Sequence, residues 1–204
     1  MRADMRFWTA ITIIGICVFS VAWGLSIVRF SLATANISSS ENRTETILAW
    51  TAIPGIASAA LQSQVSKKVD PSDLKAANRQ REALSAIISL KPLSSVDWLL
   101  LSGMRLITDQ PMEQVLDALM LSMVTGPNEG YVMADRGIFG ASLWEDLSPD
   151  LRRRAAVDLA AEEIDGGKIR AILSEKSERV RGELRSAILA TGLSPKEVER
   201  RLGF

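Results

Sequence analysis

The run Phe7–Val28, FWTAITIIGICVFSVAWGLSIV, contains 22 residues without one charged side chain. A helix rises about 1.5 Å per residue, so this run would extend roughly 33 Å, enough to cross the hydrocarbon core of a bilayer. Arg29 follows it directly, and Trp8 and Trp23 lie near its two ends, where aromatic rings favour the membrane interface. The sequence therefore predicts a single transmembrane helix.

A cleaved signal peptide is the main alternative interpretation, because Ala33 and Ala35 form an A-x-A pattern that suits a signal peptidase. The apolar run is longer than a usual signal core, and Arg29 separates it from that pattern. We therefore favour a retained anchor. A buried helix of a soluble domain is the remaining alternative.

The basic residues around the run predict its orientation. Arg2 and Arg6 lie in the short tail 1–6, whereas Arg43 is the only basic residue from Phe30 to Ser66. By the positive-inside rule the tail is cytoplasmic and the following segment is exported, although Arg29 opposes this orientation. We expect a single-pass protein of a bacterial inner membrane whose C-terminal domain is periplasmic.

The rest of the chain predicts a linker and one helical domain. Residues 29–43 are mostly small and polar, and residues 44–204, about 160 residues, suffice for one domain. Alanine, leucine and serine dominate, and long alternations of β-branched residues are missing, which favours an all-α fold. Within 44–65, Pro54–Gly55 interrupts a mildly hydrophobic stretch, so we expect a kinked helix or helix pair packed on the domain.

The composition excludes several classes of site. The 24 Lys and Arg residues balance 24 Asp and Glu residues, so no net charge attracts nucleic acid. Histidine is absent, and Cys17 is the one cysteine and lies in the predicted membrane helix. This excludes disulfides within the chain, the common zinc sites and Ser-His-Asp catalysis. We predict no cofactor, no metal and no nucleic-acid partner; the expected partners are a protein and the lipid bilayer.

Helix start and stop signals divide the domain into successive helices. Serine or aspartate before a proline marks several starts, since the side chain caps the helix and proline suits its first turn. The predicted helices run from Pro71 to Leu90, from Ser95, from Pro111 to Thr125, through 130–144, from Ser148 to Ile164, from Gly167 to Thr191 and from Ser194 to Leu202.

The junction between the first two of these helices carries a distinctive spacing. An Ala-Leu pair, Ala83–Leu84, precedes Pro92, and Trp98 follows the proline by six residues. This junction resembles the one between two tetratricopeptide repeats, in which a helix ends, a proline follows and a tryptophan begins the next helix pair. Leu101 and Ala118 stand where that family has its first leucine and the end of its second helix.

The resemblance extends from Leu74 to Asn128, about one and a half repeats, with Pro127 at the terminal proline. Ser102 replaces the family's small glycine, Arg105 replaces an aromatic residue, and Thr125–Gly126 are two extra residues. The resemblance implies a right-handed stack of antiparallel helix pairs that binds a peptide or protein on its concave side. An irregular helical bundle with a chance proline-to-tryptophan spacing is the alternative.

A dense apolar cluster through 130–144 is the predicted centre of the core, and it includes Tyr131 and Trp144. Arg136 lies near its middle, so we expect it either to pair with Asp135 or another carboxylate or to bind a partner. Gly137 and Gly140 weaken a helix unless another helix packs closely against them.

The triplet Arg152, Arg153 and Arg154 is a candidate for contact with lipid phosphates or another anion. Acidic residues follow on the same predicted helix, so a solvated face with internal pairing is the favoured interpretation. The next helix, from Gly167, carries a narrow apolar seam with near-heptad spacing. Packing on the chain's own preceding helix is favoured over a coiled coil with a partner.

These features together predict a membrane-anchored interaction or scaffold protein, with a role in an envelope-assembly machine suggested by analogy. One alternative is a small accessory subunit held in a membrane complex through its transmembrane helix. Another is a carboxylate-based enzyme with candidate residues Asp135, Arg136, Glu145 and Asp146. We expect no enzymatic activity, since no catalytic motif supports the last alternative.

Overall fold

A computed structural model of the chain describes residues 16, 19–22, 24–25, 65, 69–70, 72–161 and 164–203. The chain divides into two compact units, Met1–Ala52 and Ile53–Phe204. All regular secondary structure in these described residues is helical. The all-α prediction is therefore confirmed over this part of the chain.

The first unit has few described residues. Those at 16, 19–22 and 24–25 are helical and exposed, but most of the predicted membrane helix Phe7–Val28 lies outside the described residues, as do the tail 1–6, the linker 29–43 and nearly all of 44–65. Among the described residues, none of the helices combines the length and apolar character needed to span a bilayer.

Eight helices follow one another in the described part of the second unit. They are α1 (Leu74–Leu90), α2 (Ser95–Ile107), α3 (Met112–Thr125), α4 (Gly130–Ser142), α5 (Pro149–Leu159), α6 (Gly166–Ser174), α7 (Glu178–Leu189) and α8 (Pro195–Leu202). Most begin at a residue whose side chain accepts a hydrogen bond from the first turn, which satisfies N–H groups that have no partner within the helix. These capping residues are Asp73, Ser94, Ser148, Asp165, Ser177 and Ser194.

Helices α2 and α3 form an antiparallel pair, with α1 packed on α2. Two buried serines fix the register of the pair. The Ser102 hydroxyl donates to the Val115 carbonyl at 2.7 Å, and the Ser122 hydroxyl donates to the Ser95 carbonyl at 2.8 Å. Because the residue numbers rise on one helix as they fall on the other, the two helices run in opposite directions.

Helices α4 and α5 form a second antiparallel pair, which packs through the glycines of α4. A Cβ atom on Gly137 would lie 2.7 Å from the Leu159 backbone nitrogen, and one on Gly140 would lie 2.8 Å from the Ala155 Cβ. This close approach of two helices is the reason that the sequence tolerates two glycines within α4.

The last three helices extend the packing. Helix α6 packs on α4, α7 packs on α5, and α8 contacts both α6 and α7. The predicted seam lies in a core shared with Trp144 and Leu159, so it packs within the chain. Its buried residues are Ile169, Leu173, Val180, Leu184 and Ile188.

Three predicted helix boundaries differ from the structure. The helix expected from Gly167 to Thr191 is two helices, because the Ser177 hydroxyl accepts a hydrogen bond from the Val180 N–H at 3.3 Å and starts α7. Helix α5 ends at Leu159 rather than Ile164, and Asp165 caps the start of α6.

The third difference concerns the first helix. It begins at Leu74 rather than Pro71, because the Asp73 carboxylate accepts a hydrogen bond from the Ala76 N–H at 2.9 Å. Asp70, the expected cap, binds the backbone and hydroxyl of Ser72 instead. Leu74, at the first residue of the helix, is 56% exposed.

Candidate functional site

Arg136 lies in the middle of the described core and is only 1% exposed. Its Nε and Nη2 atoms donate to the two carboxylate oxygens of Asp158, at 2.7 and 2.9 Å. This bidentate geometry is the strongest that an arginine and a carboxylate can adopt. The ion pair joins α4 to the end of α5.

The third guanidinium nitrogen of Arg136 connects the helices α4 and α5 to α3. Nη1 donates to the carbonyls of Ser122 and Gly126, at 2.8 and 2.9 Å. Each carbonyl also accepts a backbone N–H, from Gly126 and Glu129 respectively, so the guanidinium adds a charged donor at the end of α3. Arg136 therefore connects three successive helices.

A second set of contacts surrounds Gly126, at the end of α3. A Cβ on Gly126 would lie 2.6 Å from the Ser95 side chain, so only glycine fits between α3 and α2. The Ser95 hydroxyl donates to the Glu129 carboxylate. The extra residues that depart from the repeat pattern thus lie against the buried polar network.

Burial raises the pKa of Asp158 above its ordinary value, and the hydrogen bond and charge of Arg136 offset that effect only in part. Both side chains are almost completely buried, with Asp158 3% exposed, so neither offers a surface to a ligand. The arrangement connects helices, and the structure accordingly assigns Arg136 to the core.

Trp144 and Arg152 lie together between α5 and α7. The Arg152 guanidinium lies over the Trp144 ring, 5.7 Å from its centroid, and its Nε donates to the Trp144 carbonyl at 3.0 Å. The Glu183 carboxylate accepts from the indole N–H at 3.3 Å and from Arg152 at 3.4 Å. The side chains of Trp144, Arg152 and Glu183 therefore bind one another. Together they form one wall of a shallow surface groove.

Of the other predicted site residues, Arg153 lines the same groove, whereas Tyr131 and Arg154 do not. Tyr131 lies in the first turn of α4 and is 65% exposed. Arg153 pairs with Asp150 at 2.6 Å on an exposed face, and Arg154 is exposed. The triplet therefore presents one stacked, one paired and one solvated guanidinium rather than a single cationic site.

The carboxylates that we named as enzymatic candidates do not share a recess with Arg136. Asp135 is exposed and lies 3.9 Å from Lys168, and Glu145 pairs with Arg179 at 3.4 Å. Asp146 is exposed. Within the described residues, no group of three or more carboxylates, histidines or cysteines is arranged to hold a metal ion.

The repeat-like positions have definite structural roles. The Trp98 indole donates to the Pro92 carbonyl at 2.8 Å, which gives the six-residue spacing a physical basis. Leu101 and Ala118 are buried on the facing helices α2 and α3, while Pro127 lies exposed in the turn after α3.

The remaining feature is a cleft of about 460 Å³ between α6 and α7. Arginines on both helices line it, Leu173 is buried between them, and Gly203, after α8, closes one end. Its complete lining is Arg170, Leu173, Ser174, Glu178, Arg181, Gly182, Arg185 and Gly203. We take this recess, the arginine cleft, as the candidate functional site.

The charges of the arginine cleft are incompletely balanced. Arg181 pairs with Glu178 at 2.7 Å. Arg170 and Arg185 are exposed and form no ion pair with any residue that the structure describes. A guanidinium offers five donors in a planar fork, so two unpaired ones beside a recess are suited to bind carboxylates.

No local pattern in the sequence indicates this cleft, because one continuous helix is predicted from Gly167 to Thr191, and Arg170 could not face Arg185 across a recess on a single helix. The signal that could have revealed the cleft is Ser177, because a capping serine there turns one helix into two and brings Arg170 toward α7.

No protein-family model, no curated protein and no solved structure matches this chain.

Proposed function

We propose that this chain is a membrane-anchored helical interaction module. The observation that carries the proposal is the arginine cleft, where Arg170 and Arg185 form no ion pair with a carboxylate in the described part of the chain. The cleft is backed by a core that a buried ion pair and several helix-to-helix hydrogen bonds hold together. An unbalanced, concave surface on a well-packed scaffold suits recognition of another protein.

Repeat-like stacking of the helices supports this proposal. The antiparallel pairs α2–α3 and α4–α5 follow one another, and α4 contacts both members of the preceding pair. Helices α6 and α7 then pack on α4 and α5 respectively. The order of the pairs α2–α3 and α4–α5 is the one expected of a tetratricopeptide-like stack, in which each helix pair buries an apolar face against its neighbour.

The departures from the repeat pattern are compatible with the same arrangement. Ser102, in place of the family's glycine, is fully buried where α2 meets α3, and the Val115 carbonyl accepts its hydroxyl proton. A buried polar group is tolerated when it is hydrogen-bonded. We therefore propose a divergent tetratricopeptide-like stack.

The anchor rests on the sequence of Phe7–Val28, with its 22 uncharged residues and its basic tail. We propose an inner-membrane location with the helical domain on the periplasmic side. A reporter enzyme fused after Phe204 tests the orientation. An alkaline phosphatase fusion should be active and a cytoplasmic reporter inactive; the reverse result would place the domain in the cytoplasm.

Affinity capture from detergent-solubilised membranes tests the function. The tagged full chain should retain a stoichiometric partner, and the same partner should be retained when Phe7–Val28 is replaced by 22 leucines. That replacement keeps the anchor but removes its specific side-chain contacts. Loss of the partner with the leucine anchor would favour a subunit held through its membrane helix, and the absence of any partner would contradict an interaction module.

A further inference from the structure

We propose that the arginine cleft binds an acidic, leucine-bearing segment of the partner protein. This inference rests on the proposed function and specifies the chemistry of the partner. It is carried by the positions of three guanidinium groups around one buried leucine.

The positive groups approach the recess from two helices. Arg181 and Arg185 are four residues apart on α7, so their side chains share one face of that helix. Arg170 lines the cleft from α6. Carboxylates placed between the two helices would be met from both sides, and arginine binds carboxylates through two parallel hydrogen bonds.

Leu173, the buried apolar residue that lines the cleft, is the second determinant of binding specificity beside the arginines. Leu173 is 5% exposed and belongs both to the core and to the lining of the cleft. An apolar side chain inserted above it would exclude water, while acidic neighbours on the same segment would reach the arginines. Alternating leucine and glutamate supplies both groups.

The shape of the site favours a peptide over a membrane surface. The arginines surround a recess, whereas a bilayer presents a broad surface that would meet the rim first. That rim includes Glu178, whose side chain is 93% exposed and would be repelled by anionic headgroups. A single extended segment can enter the recess and reach the arginines without covering this rim.

Glu178 acts as an internal competitor for the partner's carboxylates. Its pair with Arg181, at 2.7 Å, is an exposed contact three residues apart on one helix, and such pairs contribute little stability. A partner carboxylate can therefore replace it. Removal of the Glu178 charge should strengthen binding, a gain that damage to the fold would not produce.

The test uses the purified full chain in a mild non-ionic detergent and two fluorescein-labelled dodecapeptides. One alternates leucine with glutamate and the other alternates leucine with glutamine. Fluorescence polarisation should show binding of the glutamate peptide only, and added sodium chloride should weaken it. Arg170→Gln or Arg185→Gln should weaken binding about tenfold, whereas Glu178→Gln should strengthen it about threefold.

Arg179→Gln is the matched control. Arg179 lies on the same helix but pairs with Glu145 and Glu183, away from the cleft, so its loss should leave binding unchanged. Arg185→Lys keeps the charge and should retain more binding than Arg185→Gln. Thermal unfolding followed by circular dichroism compares the stability of all variants.

Four outcomes would overturn the inference: equal binding of both peptides, an equal loss in Arg179→Gln, no gain in Glu178→Gln, or tighter Arg185-dependent binding of soluble dihexanoyl phosphatidylglycerol than of the glutamate peptide. The last outcome would identify a lipid headgroup as the ligand. A partner captured from membranes by the Arg170→Gln and Arg185→Gln variants would leave the proposed function intact while removing the cleft from it.

Discussion

At the scale of single residues, Arg136 shows how a buried charge is accommodated. The sequence predicted that Arg136, in an apolar cluster, pairs with Asp135 or another carboxylate; in the structure its partner is Asp158, and Asp135 is exposed. Asp158 lies 22 residues away on the next helix, so its proximity depends on how α4 and α5 pack. The position of Arg136 in an apolar cluster indicated that it is buried. Only the tertiary structure shows which carboxylate it pairs with.

Replacement of Arg136 alone should be strongly destabilising. Arg136→Met would leave the buried Asp158 carboxylate without its ion-pair partner and would remove one hydrogen bond each from the Ser122 and Gly126 carbonyls. Removal of one partner from a buried ion pair typically costs about 3–5 kcal/mol. Urea denaturation followed by circular dichroism should show a loss of this size in the free energy of unfolding.

A double variant separates the effect of an unpaired buried charge on stability from the effect of losing the rest of the Arg136 side chain. Arg136→Met with Asp158→Leu removes both charges, so its free energy of unfolding should lie closer to wild type than that of Arg136→Met alone. If Arg136→Met lost less than about 1 kcal/mol, the ion pair would not have the structural role that its geometry indicates.

The stability of Arg136→Met should depend on pH through Asp158. Burial already raises the pKa of Asp158 in the folded chain, and loss of Arg136 would raise it further, because Arg136 lowers it. A group whose folded pKa exceeds its unfolded pKa favours folding least above the folded value and most below the unfolded value. The deficit of Arg136→Met relative to wild type should therefore shrink between about pH 7 and pH 4.

Urea titrations at several pH values measure this recovery. The variant that also carries Asp158→Leu has no carboxylate at that position, so it should lack the recovery. A deficit that stays constant with pH, or grows on acidification, would contradict a raised pKa at Asp158.

At the scale of helices, most starts were predictable because serine and aspartate caps are local signals. The break at Ser177 was missed because Leu173 and Val180, on either side of it, are seven residues apart and both buried. That spacing also suits one continuous helix. Hydrophobic periodicity cannot distinguish one helix from two helices whose buried faces happen to share a register.

The glycines of α2 and α4 should respond oppositely to the same substitution. Gly137→Ala would place a Cβ 2.7 Å from the Leu159 backbone nitrogen, which cannot move without separating α4 from α5. We expect a loss of about 1–3 kcal/mol. Gly103→Ala meets no atom within 4 Å, so the better helix propensity of alanine should add about 1 kcal/mol.

Melting temperatures of the two variants measure this difference, with Gly103→Ala raised and Gly137→Ala lowered. Gly140→Ala, which would approach Ala155, should follow Gly137→Ala. A stabilised Gly137→Ala variant would mean that α4 and α5 are farther apart than the structure shows.

At the scale of the whole molecule, composition and capping signals were enough to predict an all-α fold. The pairing of α2 with α3 was implied by the repeat-like spacing. The packing of α6 and α7 on α4 and α5 was not predictable, because it depends on contacts between helices that are distant in the sequence. The arginine cleft lies between α6 and α7, so no local pattern indicated it.

Retention in the membrane is the prediction on which the proposed location depends. After an alkaline carbonate wash of membranes, the full chain should remain in the pellet, because an uncharged run of 22 residues is long enough to span the bilayer core if it forms the predicted helix. Ile14→Asp with Val18→Asp places two charges near its centre, each costing about 2.5–3.5 kcal/mol, and should release the chain. Ile14→Leu with Val18→Leu is the control and should behave like wild type. N-terminal sequencing distinguishes a retained anchor from a cleaved signal peptide. A soluble chain that begins at Asn36 would identify Phe7–Val28 as a signal peptide, because cleavage after Ala35 removes the only predicted anchor.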